Sequence, residues 1–252
     1  MRNAITPPWP PEATALYSAE MAAKSMRRTL LGTRRWTAPL RDMDVVAAVA
    51  RAEIREADLG VTSGGCEALL IPLAPDRFRI TVDPRPPTGW GGRGAHMVAD
   101  TKRQRTRFRV AHELGHTLFY SRAALSRPTR RGRASANEER FCDLFAEALL
   151  LPEEVAVTCG EPQTLLRVQR DYDVSLEVCL RAYARVSGGE IALLYWEGSR
   201  DASVQWTNIA DMERVRAIVT PLRRGRLGTA PETVAARWSL VMPERRQAVV
   251  AW

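Results

Sequence analysis

His112-Glu113-Leu114-Gly115-His116 sets two of the chain's three histidines four residues apart, with an acid directly after the first. Few short strings leave a backbone so little freedom to do anything useful with its side chains. On an α-helix, positions i and i+4 lie on one face, one turn apart. Two imidazole nitrogens can then reach one ion at the roughly 2.0–2.1 Å that zinc prefers. The acid at i+1 points to the side of that ion, where a water would be activated. Ala111, Leu114, Gly115 and Leu118 form the opposite, apolar face, so the flanks support a helix. Gly115 would let a neighbouring element come close. Thr106 is a fitting cap for a helix that would run to about Tyr120.

The chain around this string has 252 residues, room for one large domain or two small ones. Hydrophobic residues make up 45% and charged residues 26%, which excludes wholesale disorder. Cys66, Cys142, Cys159 and Cys179 show no Cys-x-x-Cys spacing, so they read as reduced thiols and not as a zinc knuckle or redox pair. The net charge of +8 raises nucleic acid as a partner. Only Lys24 and Lys102 are lysines, however, and so lopsided a use of arginine fits a GC-rich genome as well as a binding surface. The proline-rich N-terminus has no apolar core of signal-peptide length, and no run is long enough to span a bilayer. A cytoplasmic protein without a membrane partner is expected.

Four stretches follow from the pattern of apolar and breaker residues. Residues 1–36 read as an N-terminal extension, proline-rich and then weakly helical from about Glu12 to Leu31. Residues 37–160 hold the histidine helix. There, Asp42 or Asp44 can cap a helix carrying Val45, Val46, Val49, Ala52 and Ile54, with Gly60 at its end. Residues 68–73 and 77–82 flank a short Pro75-Asp76 turn and predict a β-hairpin. A Pro/Gly loop at 83–95 lacks the Gly-Lys-Ser/Thr ending of a phosphate loop and reads as a plain loop beside the histidine helix. A strong helix from about Asn137 to Leu151 is stopped by Pro152. Residues 161–187 predict two short helices around Asp173-Val174-Ser175. Residues 188–252 form a C-terminal α+β unit, mostly β, with strands near 191–196, 203–206 and 247–252.

A catalytic zinc needs a third protein ligand and an open fourth position. His96 lies in a loop stretch and is poorly placed. Glu139, 23 positions after His116, is the better candidate. It is in register with Asp143 one turn on, beside the apolar stripe of Cys142, Phe145, Ala146, Leu149 and Leu150. That pair fits a ligand carboxylate and a second carboxylate holding a histidine N–H. Glu138 is the nearest rival and lacks the register with Asp143. Tyr120, one turn beyond His116, is either a donor to a developing oxyanion or a packed aromatic at a helix end.

Arg107-Phe108-Arg109-Val110-Ala111-His112-Glu113-Leu114-Gly115-His116, followed by Glu139-Arg140-Phe141-Cys142-Asp143-Leu144-Phe145-Ala146 and Leu149-Leu150-Leu151-Pro152, resembles the ImmA/IrrE family of metallopeptidases. The resemblance covers roughly residues 40–186. It implies that His112, His116 and Glu139 bind one zinc ion and that Glu113 is the general base. It also implies an α+β fold: a gluzincin-like minimal metallopeptidase domain, helical with a small β-sheet. A helical segment like a helix-turn-helix and a smaller, mostly β C-terminal unit would follow. The implied substrate is a protein, a helix-turn-helix repressor whose cleavage releases stress, DNA-damage or mobile-element genes.

Two other readings remain open at this level. Residues 163–186 have the apolar spacing of a DNA-binding helix-turn-helix, with Arg167, Arg170, Arg181 and Arg185 available for phosphates. The zinc would then serve sensing or structure. A closed structural site wants four protein ligands, and only three are found. Basic residues cluster at Lys102–Arg109 and Arg122–Arg133, on either side of the histidine helix. Such a rim would steer an acidic partner, with direct DNA contact a secondary expectation.

Overall fold

The computed structural model describes residues 12–59, 67–74, 76–85, 99–120, 136–195, 203–210, 213, 238–242 and 247–251. Its contacts divide the chain into two compact units, Met1–Pro152 and Glu153–Trp252. Helices and small sheets are mixed in both, so the fold is α+β.

The first unit runs α1 (Glu12–Leu31), α2 (Met43–Val49), β1 (Ala52–Glu56), β2 (Ala68–Ala74), β3 (Arg77–Val82), α3 (Ala99–Thr117) and α4 (Ala136–Leu150). β2 and β3 form the expected hairpin, with Leu70 opposite Ile80. Asp76 takes a positive φ of 58° at the turn, a conformation aspartate tolerates. β1 joins on the far side of β3 in parallel, so the order is β1-β3-β2 and β2 is an edge.

The helix expected from Asp42 to Gly60 is a correction. Asp42 does cap it, accepting from the N–H groups of Asp44 and Val45 at 2.9 and 3.2 Å. The helix nevertheless stops at Val49, and Arg51 turns the chain with φ 54°. Ala52 and Ile54 then sit in β1, paired with Phe78 and Ile80. Valine, alanine and isoleucine at these spacings fit either period, and the open flank of β3 decides for the strand.

α3 begins about two turns before Thr106 and ends at Thr117, three residues before Tyr120. It packs on α4, and α4 packs on α1. Phe145, Leu149, Leu150, Leu114 and Val110 are at most 1% exposed in this core. Each such side chain contributes about 1.5–3 kcal/mol by leaving water. Two buried arginines tie segments together through backbone carbonyls. Arg107 donates to the Arg41 and Leu40 carbonyls at 3.0 and 2.6 Å. Arg27 donates to the carbonyls of Trp36 (2.7 Å), Ala38 and Leu149. The helix at 12–31 is therefore held against α4 by a fully buried guanidinium.

The second unit comprises α5 (Glu153–Ala156), a 3-10 turn at Val157–Gly160, α6 (Pro162–Tyr172), α7 (Leu176–Ser187) and strands β4 (Ile191–Tyr195), β5 (Ser203–Thr207), β6 (Trp238–Met242) and β7 (Gln247–Ala251). The sheet is antiparallel in the order β5-β4-β7-β6. Asp173 breaks α6 from α7 with φ 52°, and the Ser175 hydroxyl caps α7 by accepting from the Val178 N–H at 3.2 Å. Among the described residues, no helix is long and apolar enough to cross a membrane.

Candidate metal centre

α3 presents His112 and His116 on one face, their ring centroids 5.0 Å apart. Both are about nine-tenths buried, at 9% and 8% exposed. Their Nε2 atoms lie 3.2 Å from each other. α4 crosses this face and brings Glu139 to it. Glu139 Oε2 is 3.2 Å from His112 Nε2, and Oε1 is 3.7 Å from His116 Nε2. One donor atom from each of the three residues lies within 4.8 Å of the others.

These spacings can be tested against zinc. Ligands at about 2.05 Å in a tetrahedron stand about 3.3–3.4 Å apart. The two Nε2 atoms, and His112 Nε2 and Glu139 Oε2, stand 3.2 Å apart, close to that edge, and the other Glu139 oxygen is 3.7 Å from His116 Nε2. The donors are two imidazoles and one carboxylate, a catalytic set that leaves a fourth position for water or substrate. The donor set and its dimensions therefore fit zinc.

The far nitrogens of the rings are held as well. His112 Nδ1 is 2.8 Å from Asp143 Oδ1, and His116 Nδ1 is 2.7 Å from Glu138 Oε1. Burial is the largest single influence and works against a charged His112, but the hydrogen bond and charge of Asp143, with Glu113 and Glu139, together outweigh it. The imidazole titrates above its ordinary value of 6.5. Glu113 lies beside the cluster, and burial pushes its carboxyl above the usual carboxylate range against the pull of the two histidines. The Leu70 N–H on β2 hydrogen-bonds that carboxyl. Arg105 and Arg109, one turn apart on α3, both pair with Glu67 just before β2, Arg109 at 2.9 Å. They secure the start of β2 to the histidine helix.

α3 and α4 approach closely at Gly115. A Cβ there would stand 3.1 Å from Cys142 Cα and 3.2 Å from its Sγ. The Cys142 thiol is pushed well above its ordinary range by burial and by the surrounding carboxylates, so it stays protonated and inert.

Of the residues singled out in the sequence, His112, His116 and Glu139 come together, Asp143 meets His112, and Glu113 flanks them. Tyr120 lies past the end of α3 and packs edge-on against Phe78 on β3, ring centroids 5.4 Å apart. His96, most of the 83–95 loop and Arg122–Arg133 lie outside the described residues. Within Lys102–Arg109, Arg105 and Arg109 are paired with Glu67 and Arg107 is buried, so much of that charge is engaged inside the unit. The Glu138 contact with His116 was missed in the sequence. The available signal was its position four residues before Cys142, in the buried stripe of α4.

No curated protein matches the chain. Among solved structures, a Mycobacterium tuberculosis transcriptional regulator is similar with a TM-score of 0.41 and 14% identity, over 76% of this chain and 54% of that one. The chain thus spans about half the length of that protein. Residues 97–183, from before α3 through most of α7, match the family model of the IrrE N-terminal-like domain, a peptidase family. Over this stretch, about a third of its length, the chain is similar to the IrrE N-terminal-like peptidase domain.

Proposed function

We propose that the chain is a zinc-dependent endopeptidase that cleaves a helix-turn-helix transcriptional repressor and so derepresses stress, DNA-damage or mobile-element genes. The convergence of both Nε2 atoms and the Glu139 carboxylate on one point carries this reading. His112, His116 and Glu139 would hold the ion. Zinc, when bound, supplies Lewis-acid polarisation of the scissile carbonyl. Glu113 takes a proton from the attacking water on its carboxylate and returns it to the leaving amine. Its raised pKa suits both halves of that exchange, since a stronger base near neutrality is also a usable acid. The Leu70 N–H orients the carboxylate. The edge of β2 lies next to it and is suited to hold an extended peptide by strand addition.

The packing of α7 argues against the DNA-binding alternative. A recognition helix must offer an exposed face to the major groove. From Leu176 to Val186, no residue of α7 is exposed. Arg181 pairs with Glu177 at 2.8 Å and lies over the Trp206 ring, 5.9 Å from its centroid.

The test is co-expression with a helix-turn-helix regulator encoded beside the gene. Wild type is expected to yield a cleavage fragment. Glu113→Gln is expected to slow cleavage by about 10²–10⁴-fold, the usual worth of general acid–base catalysis. Cleavage by Glu113→Gln at the wild-type rate would sink the proposal.

A further inference from the structure

Glu138 and Glu139 are adjacent in sequence but differ sharply in environment. Glu139 has a side chain 48% exposed, whereas that of Glu138 is 7% exposed. One residue on a helix is a rotation of about 100°. Glu138 therefore falls in the stripe of Cys142, Phe145 and Leu149, which faces into the protein. A carboxylate so enclosed is costly unless hydrogen-bonded within the protein. Its Oε1 lies 2.7 Å from His116 Nδ1.

An ionised carboxylate can only accept, so the proton of this bond belongs to Nδ1. A neutral imidazole with Nδ1–H carries its lone pair on Nε2. That atom is the one 3.2 Å from His112 Nε2 and 3.7 Å from Glu139 Oε1. We infer that Glu138 is a positioning residue of the metal centre: it fixes His116 in the Nδ1–H tautomer and locks the ring, so that Nε2 is ready to bind metal. Asp143 makes the corresponding contact to His112 at 2.8 Å, but its side chain is 45% exposed. Water competes for that bond, and a buried charged hydrogen bond is the stronger of the two. Glu138 therefore contributes more to metal affinity than Asp143.

The inference rests on reading the cluster as a metal centre, and the experiment separates the two. In the metal-free full chain, the imidazole nitrogens are followed by ¹⁵N NMR at a pH where the rings are neutral. With only three histidines, His96→Gln and His112→Gln assign His116. Wild type is expected to show Nδ1–H, and Glu138→Ala a mixture of tautomers. Glu138→Gln keeps an accepting oxygen and is expected to restore Nδ1–H. Zinc affinity is then measured by chelator competition. Glu138→Ala is expected to bind about 10–100-fold more weakly than wild type, with Glu138→Gln in between. Asp143→Ala is expected to lose less than Glu138→Ala. An unchanged His116 tautomer in Glu138→Ala, or wild-type zinc affinity in that variant, overturns the inference. Where Glu138→Ala does not fold, Glu138→Leu, which fills the same buried space without an acceptor, decides, and zinc affinity equal to wild type's in that variant overturns the inference. A wild-type protein that binds no zinc overturns the metal reading itself, before any variant is compared.

Discussion

His112 carries two competing demands. To bind metal it must be neutral at Nε2, yet the Asp143 carboxylate at its other nitrogen favours the charged ring and raises its pKa above 6.5. Protons and metal therefore compete there, with a defined sign. In the metal-free protein, the raised pKa stabilises the fold below the unfolded value of 6.5, and this contribution is lost as pH rises through the folded value. Metal binding runs the other way and weakens as pH falls through the folded value. Zinc affinity is accordingly expected to drop as pH is lowered from about 8 to about 5, with the decline beginning above 6.5. Chelator competition across that range measures it, and a flat profile would contradict the Asp143 contact. At this scale, the sequence already showed the two histidines, Glu113, Glu139 and Asp143, because helical spacing alone puts them on faces. It did not show Glu138. Its place in the stripe of Cys142, Phe145 and Leu149 marked it for burial, but which group it meets there depends on the rotation of α4 against α3.

At the scale of elements, that rotation is set where α3 and α4 touch. Gly115 allows Cys142 to approach more closely than most side chains tolerate, and the atom that a Cβ would meet at 3.1 Å is the Cys142 Cα, which cannot swing away. Gly115→Ala is expected to destabilise the first unit by about 1–3 kcal/mol, the usual cost of overpacking. Equilibrium denaturation would show this, and a variant as stable as wild type would mean that the helix contact is looser than described. The same substitution is expected to weaken zinc binding, since α3 carries the histidines and α4 the carboxylates. Elements with strong local signals were readable beforehand: the hairpin of β2 and β3, α4 up to Pro152, and the α6–α7 pair around Asp173. The stretch after Val49 was not. Its apolar residues suit a helix, but β3 offered an unpaired edge. Forming the Ile54–Ile80 pairing in β1 outweighed continuing α2.

For the whole molecule, the centre concentrates negative charge. Glu113, Glu138, Glu139 and Asp143 surround two imidazoles, and a divalent cation would relieve their mutual repulsion. Metal should thus stabilise the first unit by mass action, by about 2.7 kcal/mol at a free concentration 100-fold above Kd. Calorimetry is expected to show the first unit's transition falling on chelation and recovering with zinc. In Glu139→Ala, most of that zinc-dependent gain should vanish. A transition indifferent to chelator would contradict a metal held by these residues. Within the basic run Lys102–Arg109, by contrast, Arg105 and Arg109 pair with Glu67 and Arg107 donates to backbone carbonyls, so that run offers less to a partner than its sequence suggests. The sequence alone determined what helical periodicity controls: two imidazoles one turn apart, an acid beside them, and a second helix with carboxylates on one flank. Tertiary structure decided what depends on distant segments meeting. It chose strand over helix at β1, buried Glu138 against His116, and placed the Leu70 N–H on Glu113. The reason is that periodicity is a property of neighbours in the chain, whereas burial and pairing belong to surfaces that exist only after the helices have docked.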